Sequence, residues 1–241
     1  MFNRFKWTAP SGGRNRMTAN YEPVQPFLFC AFATALEINY IFDIGANIGQ
    51  YSLFATQIRS ADKIYAYEAE QAAFDELLMN IKLNEMQHRI EAHQQAVSSQ
   101  SGEVIFAVAK PMAGNNAIAS TSIHRPGVYS ETRMVGCVAL DEAHTISGRS
   151  LCFKIDVEGH EAEVLRGAAE LLNANTCVLQ VEIYRDNGKI TELLKYYGYT
   201  QIFSAGADCY FTNTTKLVEP AQVLRLIEGA LSDMISYNLK G

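Results

Sequence analysis

The stretch Ile41-Phe42-Asp43-Ile44-Gly45-Ala46-Asn47-Ile48-Gly49-Gln50-Tyr51-Ser52 decides the fold. Tyr40-Ile41-Phe42 is a short apolar run that reads as a buried parallel strand and ends on a carboxylate, Asp43. Gly45 and Gly49 follow, with Asn47 between them, and a helical pattern then begins. Strand, glycine-bearing turn and helix in that order bring backbone N–H groups and a helix N-terminus beside whatever binds at the strand's end. The loop therefore marks a nucleotide-type cofactor site without saying which cofactor.

Outward from this loop, strand-like and helix-like patterns alternate. A helix over about 49–59 precedes a second strand at 63–68, and Phe74, Leu77, Leu78 and Ile81 then recur at i, i+3, i+4, i+7. Residues 89–97 read as a third strand running into Gln95-Ala96-Val97, and 104–108 as another. Strands at 151–156 and 177–183 alternate with helices marked by Val164, Leu165, Ala168, Leu171 and Leu172 and by Ile190, Leu193, Leu194 and Tyr197. A hairpin at 200–203 and 208–212 and a helix near 222–231 close the chain. The alternation predicts an α/β, doubly wound sheet covered on both faces.

Two segments stand apart. Residues 110–132, rich in Ala, Gly, Asn, Ser and Thr, exceed the usual loop length and read as a candidate substrate loop or lid. Residues 27–36, FLFCAFATAL, are the most apolar run, but Glu37 and Asn39 interrupt it well short of the ~20 residues a membrane span needs. The expected organisation is an N-terminal helical extension over 1–39 and a single domain over 40–241.

Composition narrows the partners. The 241 residues are 48% hydrophobic and 19% charged, with a net charge of −6 and no block of Lys or Arg, so nucleic acid is not expected as a partner. The five cysteines form no C-x-x-C pair, which suits reduced thiols and a cytoplasmic location. No apolar segment follows the N-terminal Arg and Lys residues closely enough for a secretory signal.

In doubly wound sheets, ligands sit beyond the carboxyl ends of the strands. Those ends read Asp43, Glu68, Gln95, Asp156 and Glu182. Buried carboxylates are costly unless they are paired or functional, so a row of them at one sheet edge is informative. Glu68, 19 residues after Gly49, is placed to accept both hydroxyls of a ribose, which NAD and S-adenosylmethionine share. The loop itself separates them. Asn47 stands where G-x-G-x-x-G requires its second glycine, which disfavours a pyrophosphate and favours a cofactor with an amino-acid tail.

In FKIDVEGHEAEVLRGA, residues 153–168, Asp156 ends the strand and Glu158 lies in the turn, both directed toward the crevice. Glu161 and Glu163 suit a helix N-terminus through the macrodipole. Lys154 is unusual inside such a strand; it pairs with a nearby carboxylate or orients a substrate hydroxyl. His160 is a reserve general base.

Together IFDIGANIGQYSLFA, AYEAEQAAFDELLMNIKLN, the Leu140-Asp141 pair, FKIDVEGHEAEVLRGA and LQVEIY resemble the FkbM family of S-adenosylmethionine-dependent methyltransferases, over roughly residues 40–203. The resemblance implies a Rossmann-like class I methyltransferase fold, its mostly parallel seven-stranded sheet having an antiparallel last strand. It implies O-methylation of a small molecule or sugar, with S-adenosylhomocysteine as product. Carried over by position, Asp43, Gly45, Ala46, Asn47 and Gly49 surround the methionine part of the cofactor. Glu68 and Ala69 then meet the ribose, Gln95 and Ala96 flank the adenine, and Asp156 lies at the reactive end. Ala69 stands where the family usually has proline.

An alcohol needs help to attack a sulfonium methyl, and the expected catalytic set is Asp156 or Glu158 as base, His160 in reserve, and Lys154 and Glu182 as orienters. The same carboxylates could instead hold Mg2+, the less favoured route, and no metal ligands are assigned. An NAD-dependent oxidoreductase and a non-catalytic cofactor-binding protein are the rival readings. The acceptor's identity and the oligomeric state stay open, a homodimer among the options.

Overall fold

The computed structural model describes residues 5–8, 22–108, 117–118, 131–184 and 188–238. The chain runs through α1 (Gln25–Ala35), β1 (Tyr40–Ile44), α2 (Gln50–Ala55), β2 (Lys63–Tyr67), α3 (Gln71–Leu83) and β3 (Ile90–His93). Then come β4 (Ala96–Val97), β5 (Gly102–Val108), β6 (Ala117–Ile118), β7 (Glu131–Val138) and α4 (Leu140–Ala143). The second half comprises β8 (Ser150–Ile155), α5 (Glu161–Arg166), α6 (Ala169–Ala174), β9 (Thr176–Glu182), α7 (Lys189–Tyr196), β10 (Thr200–Ala205), β11 (Asp208–Thr212) and α8 (Pro220–Asn238).

Seven strands form the main sheet in the order β10-β11-β9-β8-β1-β2-β3. The β3, β2, β1, β8 and β9 strands are parallel neighbours, and β11 is antiparallel to both β9 and β10. This is the expected doubly wound α/β sheet with an antiparallel last strand. Its central strands are buried on both faces because alternate residues enter two cores, while the edge strands β10 and β3 are partly exposed. Ile41, Cys152, Val178 and Tyr210 pack with α1, α2, α3 and α8, whereas Phe42, Phe153, Leu179 and Phe211 pack with α5, α6 and α7. All five cysteines are free, and four of them are buried, as expected.

The middle of the chain departs from expectation. The third strand ends at His93, so Gln95 does not terminate it; Ala96–Val97 instead pairs with Cys137 and Val138. That pairing belongs to a second, four-stranded sheet of order β4-β7-β5-β6. The proposed 110–132 loop lies outside the described residues except at 117–118, which pair with β5, and at 131–132, which begin β7. The helix expected across 164–172 is two helices, broken at Gly167, whose absent side chain leaves room for the Ser98 carbonyl oxygen, 2.0 Å from where a Cβ would stand. The α2 helix stops at Ala55 and α8 runs far past 231.

The N-terminal extension contributes to the main core rather than standing apart. Phe27, Leu28, Phe29 and Phe32 of α1 are buried with Ile41 and Leu53. Residues 5–8 lie along α3: Asn84 exchanges hydrogen bonds with the Lys6 backbone, and Asn80 accepts from the Thr8 N–H. Asn80 also donates to the Ile48 carbonyl, which ties this segment to the glycine loop.

Candidate active site

The loop after β1 is built on left-handed backbone at Gly45 (φ +78°), Asn47 (φ +49°) and Gly49 (φ +90°). Its first amides are already used, since the Gly45 and Ala46 N–H groups both donate to the Tyr67 carbonyl. A Cβ on Gly45 would lie 1.8 Å from the Asp156 carbonyl oxygen. The glycine thus does two things: it takes a φ that side chains resist, and it lets the loop press on the end of β8. Loop and KIDVEG turn are one site.

Asp43 is almost fully buried, and its Oδ2 accepts from both the N–H and the hydroxyl of Ser52, at 2.8 and 2.6 Å. Those bonds hold the first turns of α2 against β1. Its Oδ1 has no hydrogen-bond partner among the described residues, and the same is true of Asn47 Oδ1. Glu68 is fixed by the Asn47 N–H on one oxygen and the Glu70 N–H on the other, each at 2.8 Å, and burial pushes its carboxyl up to about 7.

Register then lines up polar side chains across the sheet. Asp43 is opposite Lys154, Lys154 opposite Gln180, and Gln180 opposite Tyr210, all on the face covered by α2. Gln180 donates to the Tyr51 hydroxyl and to Asp208 and accepts from the Tyr210 hydroxyl, so both ends of its amide are fixed. Lys154 Nζ lies 4.9 Å from the centre of the Tyr51 ring and donates to Asp156 Oδ2 at 2.8 Å.

One step further along the strands the row is acidic: Asp156, Glu182 and Asp208. Burial works against the Asp156 carboxylate, but Lys154 and a hydrogen bond from Glu182 hold it below the usual range. Burial first, then that shared hydrogen bond, push the Glu182 carboxyl well above the usual range. Burial also disfavours the Lys154 ammonium, yet Asp156, Asp43 and Glu22 hold its pKa above the usual value.

Sequence reasoning placed Asp43, Gly45, Asn47, Lys154, Asp156 and Glu182 at one edge, and the structure brings them together. Glu158 follows in the turn with a left-handed backbone (φ +56°), and its charge reaches Glu182. Glu161 is buried and accepts from the Gly159 and Val157 N–H groups, which shapes this turn. His160 is placed elsewhere: it is buried, its Nε2 lies 3.0 Å from the Ser98 hydroxyl, and burial lowers its pKa. Ala69 packs against the small cluster that contains Ala96, so the β2 end and the β4 segment adjoin; Gln95 enters from the loop before β4, not from a strand end.

Four residues of the site escaped sequence reasoning. Gln180 and Asp208 carry a signal in retrospect, since Gln180 interrupts an apolar run two residues before Glu182 just as Lys154 does before Asp156. Tyr51 and Glu22 carry none. Glu22 lies just before α1, with oxygens of its carboxylate, of Asp156 and of Glu182 all within 4.8 Å of one another.

The residues present suit an adenosine cofactor with an amino-acid tail. Asp43 Oδ1 and Asn47 Oδ1 are buried acceptors awaiting donors, and the Asn47 side chain occupies the position where a diphosphate would need bare backbone. Glu22, Asp156 and Glu182 could reach one cation, but the Lys154 ammonium already sits on Asp156 and supplies positive charge there.

The profile of the methyltransferase FkbM domain family matches residues 43–200. Methyltransferase sdnD of Sordaria araneosa is 29% identical over 157 residues, covering 54% of this chain and 61% of that protein. The hexuronic acid methyltransferase AglP of Haloferax volcanii is 28% identical over 171 residues, covering 66% of this chain and 63% of the relative. The chain thus spans about three-fifths of the length of these curated relatives. The crystal structure of methyltransferase FkbM from Methylobacillus flagellatus superposes with a TM-score of 0.55 at 14% identity, over 78% of this chain and 48% of the other, which shows a shared fold. The family match covers the glycine loop, the β2 carboxylate and the KIDVEG turn alike, and the chain belongs to the FkbM methyltransferase domain family.

Proposed function

We propose that this chain is an S-adenosylmethionine-dependent O-methyltransferase acting on a hydroxyl of a small molecule or sugar. The observation that carries the reading is the contact of Gly45 with the Asp156 carbonyl, which sets a loop suited to an amino-acid tail directly beside a Lys154–Asp156–Glu182 group suited to proton handling. When bound, S-adenosylmethionine supplies an electrophilic methyl group on a sulfonium.

The chain's own residues divide the remaining tasks. Glu68 receives the ribose hydroxyls on carboxylate lone pairs left over from its two backbone bonds. Asp43 and Asn47 receive the tail's ammonium and N–H donors, while Gln95, Ala96 and Ala69 line the base. Lys154 keeps Asp156 ionised and orients the acceptor hydroxyl. The buried setting strengthens each of these interactions by excluding water. A carbohydrate acceptor is in keeping with the name of the Haloferax volcanii relative, whose own hexuronic acid also carries a carboxyl group.

Calorimetry with S-adenosylhomocysteine, S-adenosylmethionine and NAD tests the reading. Binding of the first two and not the third is expected, and binding of NAD alone would sink it. Methyl transfer to a pool of hydroxylated acceptors should then fall at least about 100-fold in Asp156→Asn, the range expected when a charged group at the reacting centre is lost.

A further inference from the structure

Glu22 and Asp208 are acidic residues of the site that the family match does not cover, and Glu22 is the one that precedes residue 43. It is held there by the chain that follows it and by the Tyr51 side chain. Pro23 follows it, and α1 begins at Gln25 and is anchored in the core through Phe27, Leu28 and Phe29. The Tyr51 hydroxyl, itself fixed by the Gln180 amide at 2.9 Å, hydrogen-bonds the Glu22 carboxylate. Among the described residues, Lys154 of β8, Asp156 beyond it, Asp208 of β11 and Glu182 of β9 are the other charged groups facing it.

The three neighbouring carboxyl groups are not equivalent. Asp156 has the Lys154 ammonium on Oδ2, and burial together with its hydrogen bond to Asp156 pushes the Glu182 carboxyl well above the usual range. Among the described residues, Glu22 has no ammonium within ion-pair distance, and its side-chain hydrogen bond is to the Tyr51 hydroxyl. Burial, opposed by Lys154, brings its carboxyl up to about 7, where it can both take and release a proton at neutral pH. The surroundings also restrict what may approach. Asp156, Asp43, Glu22 and Asp208 act on the Lys154 ammonium, the cation of the site among the described residues, so a further negative charge on the acceptor would be repelled.

Resting on the methyltransferase reading above, we infer that Glu22 takes the hydroxyl proton of an uncharged polyhydroxylated acceptor as the methyl group is transferred. The acceptor oxygen forms its bond to the methyl carbon while the S–CH3 bond breaks and leaves its electron pair on sulfur. The O–H proton passes to Glu22, and the neutral carboxylic acid then returns it to solvent. The N-terminal segment thereby supplies the base, and Asp156, Lys154 and Glu182 form the electrostatic frame around it.

The test compares the full chain with Glu22→Gln and Glu22→Asp. Both variants should melt within a few degrees of the parent and bind S-adenosylhomocysteine within about threefold by calorimetry. Carboxyl 13C NMR of the parent should show a glutamate titrating near pH 7 that vanishes in Glu22→Gln. With labelled S-adenosylmethionine and a panel of methyl glucoside, myo-inositol and methyl glucuronide, kcat on the uncharged members should fall at least about 100-fold in Glu22→Gln. Its acid limb near pH 7 should disappear with KM little changed, and Glu22→Asp should restore part of the rate and the limb.

Unchanged kcat and pH profile in Glu22→Gln would overturn the assignment. Preference for the glucuronide, or no turnover of either uncharged compound by a parent that binds S-adenosylhomocysteine, would overturn the acceptor class. A parent that binds neither S-adenosylhomocysteine nor S-adenosylmethionine would instead bring down the methyltransferase reading on which the inference rests.

Discussion

At Gly45 the chain accepts no side chain for two separate reasons. Left-handed backbone costs an alanine about 1–2 kcal/mol, and here the added methyl would also meet a carbonyl oxygen at 1.8 Å. Because that oxygen belongs to Asp156, the strain would fall on the end of β8. Gly45→Ala should therefore lower the melting temperature by several degrees and weaken S-adenosylhomocysteine binding more than tenfold, read by calorimetry. Ser52 is the quieter partner. Its hydroxyl is fully buried and donates to Asp43, and a lost bond to a buried acceptor costs about 1–3 kcal/mol. Ser52→Ala should lose that amount in urea unfolding, because Asp43 Oδ1 already has no partner among the described residues and the Ser52 N–H alone remains on Oδ2.

Between elements, the Leu140-Asp141 pair has a mechanical explanation. Leu140 is fully buried, and Asp141 accepts from the Glu170 and Leu171 N–H groups, both at 2.9 Å. The α6 helix lacks a capping side chain of its own at Ala168, so Asp141 of α4 caps it from outside. Asp141→Ala should cost about 1–2 kcal/mol in chemical denaturation and leave S-adenosylhomocysteine affinity within twofold. This scale is also where sequence reading was weakest. LRGAAELLNA has one helical stripe, and nothing in it announces that Gly167 must yield to Ser98 from a distant turn. The β7 strand escaped because its first four residues are exposed, so burial imposes no alternation on them. The β3 strand was overextended because Gln94-Gln95 separates two strands of different sheets without a glycine or proline to mark the change. The central parallel strands β1, β2, β8 and β9, by contrast, were legible to within a residue of their ends, since burial on both faces makes them apolar and leaves Asp43, Asp156 and Glu182 conspicuous at or just beyond those ends.

Across the whole molecule, the site concentrates carboxyl groups whose pKa values rise on folding, and that couples stability to pH. Burial takes Glu22 and Glu68 to about 7, and burial with the Asp156 bond takes Glu182 to about 10. A group raised on folding contributes stability that is full below its unfolded value and is lost as pH climbs through its folded value. These three therefore tilt stability downward with rising pH, Glu22 and Glu68 between about 4.5 and 7 and Glu182 from about 4.5 to 10. His144 acts in the opposite sense. Burial and His93 lower it to about 4, and its Nε2 lies 2.7 Å from the Tyr67 hydroxyl, so it adds stability as pH rises from about 4 to 6.5. His93 and His160 are lowered by burial too, but among the described residues Asp43, Glu161 and Asp208 join the three raised carboxyls, and above 6.5 no imidazole contributes. Each proton of difference changes stability by at most about 1.4 kcal/mol per pH unit, and partial solvent exposure of Glu22 and Glu182 reduces that slope. Urea midpoints at constant ionic strength should therefore fall from pH 5.5 to pH 8.5. Between 7 and 8.5, where Glu182 is the largest contributor, Glu182→Gln should flatten the decline. A parent whose midpoint rises over that upper range would show that Glu182 does not retain its proton in the folded chain, and with it that the Asp156–Glu182 bond does not form.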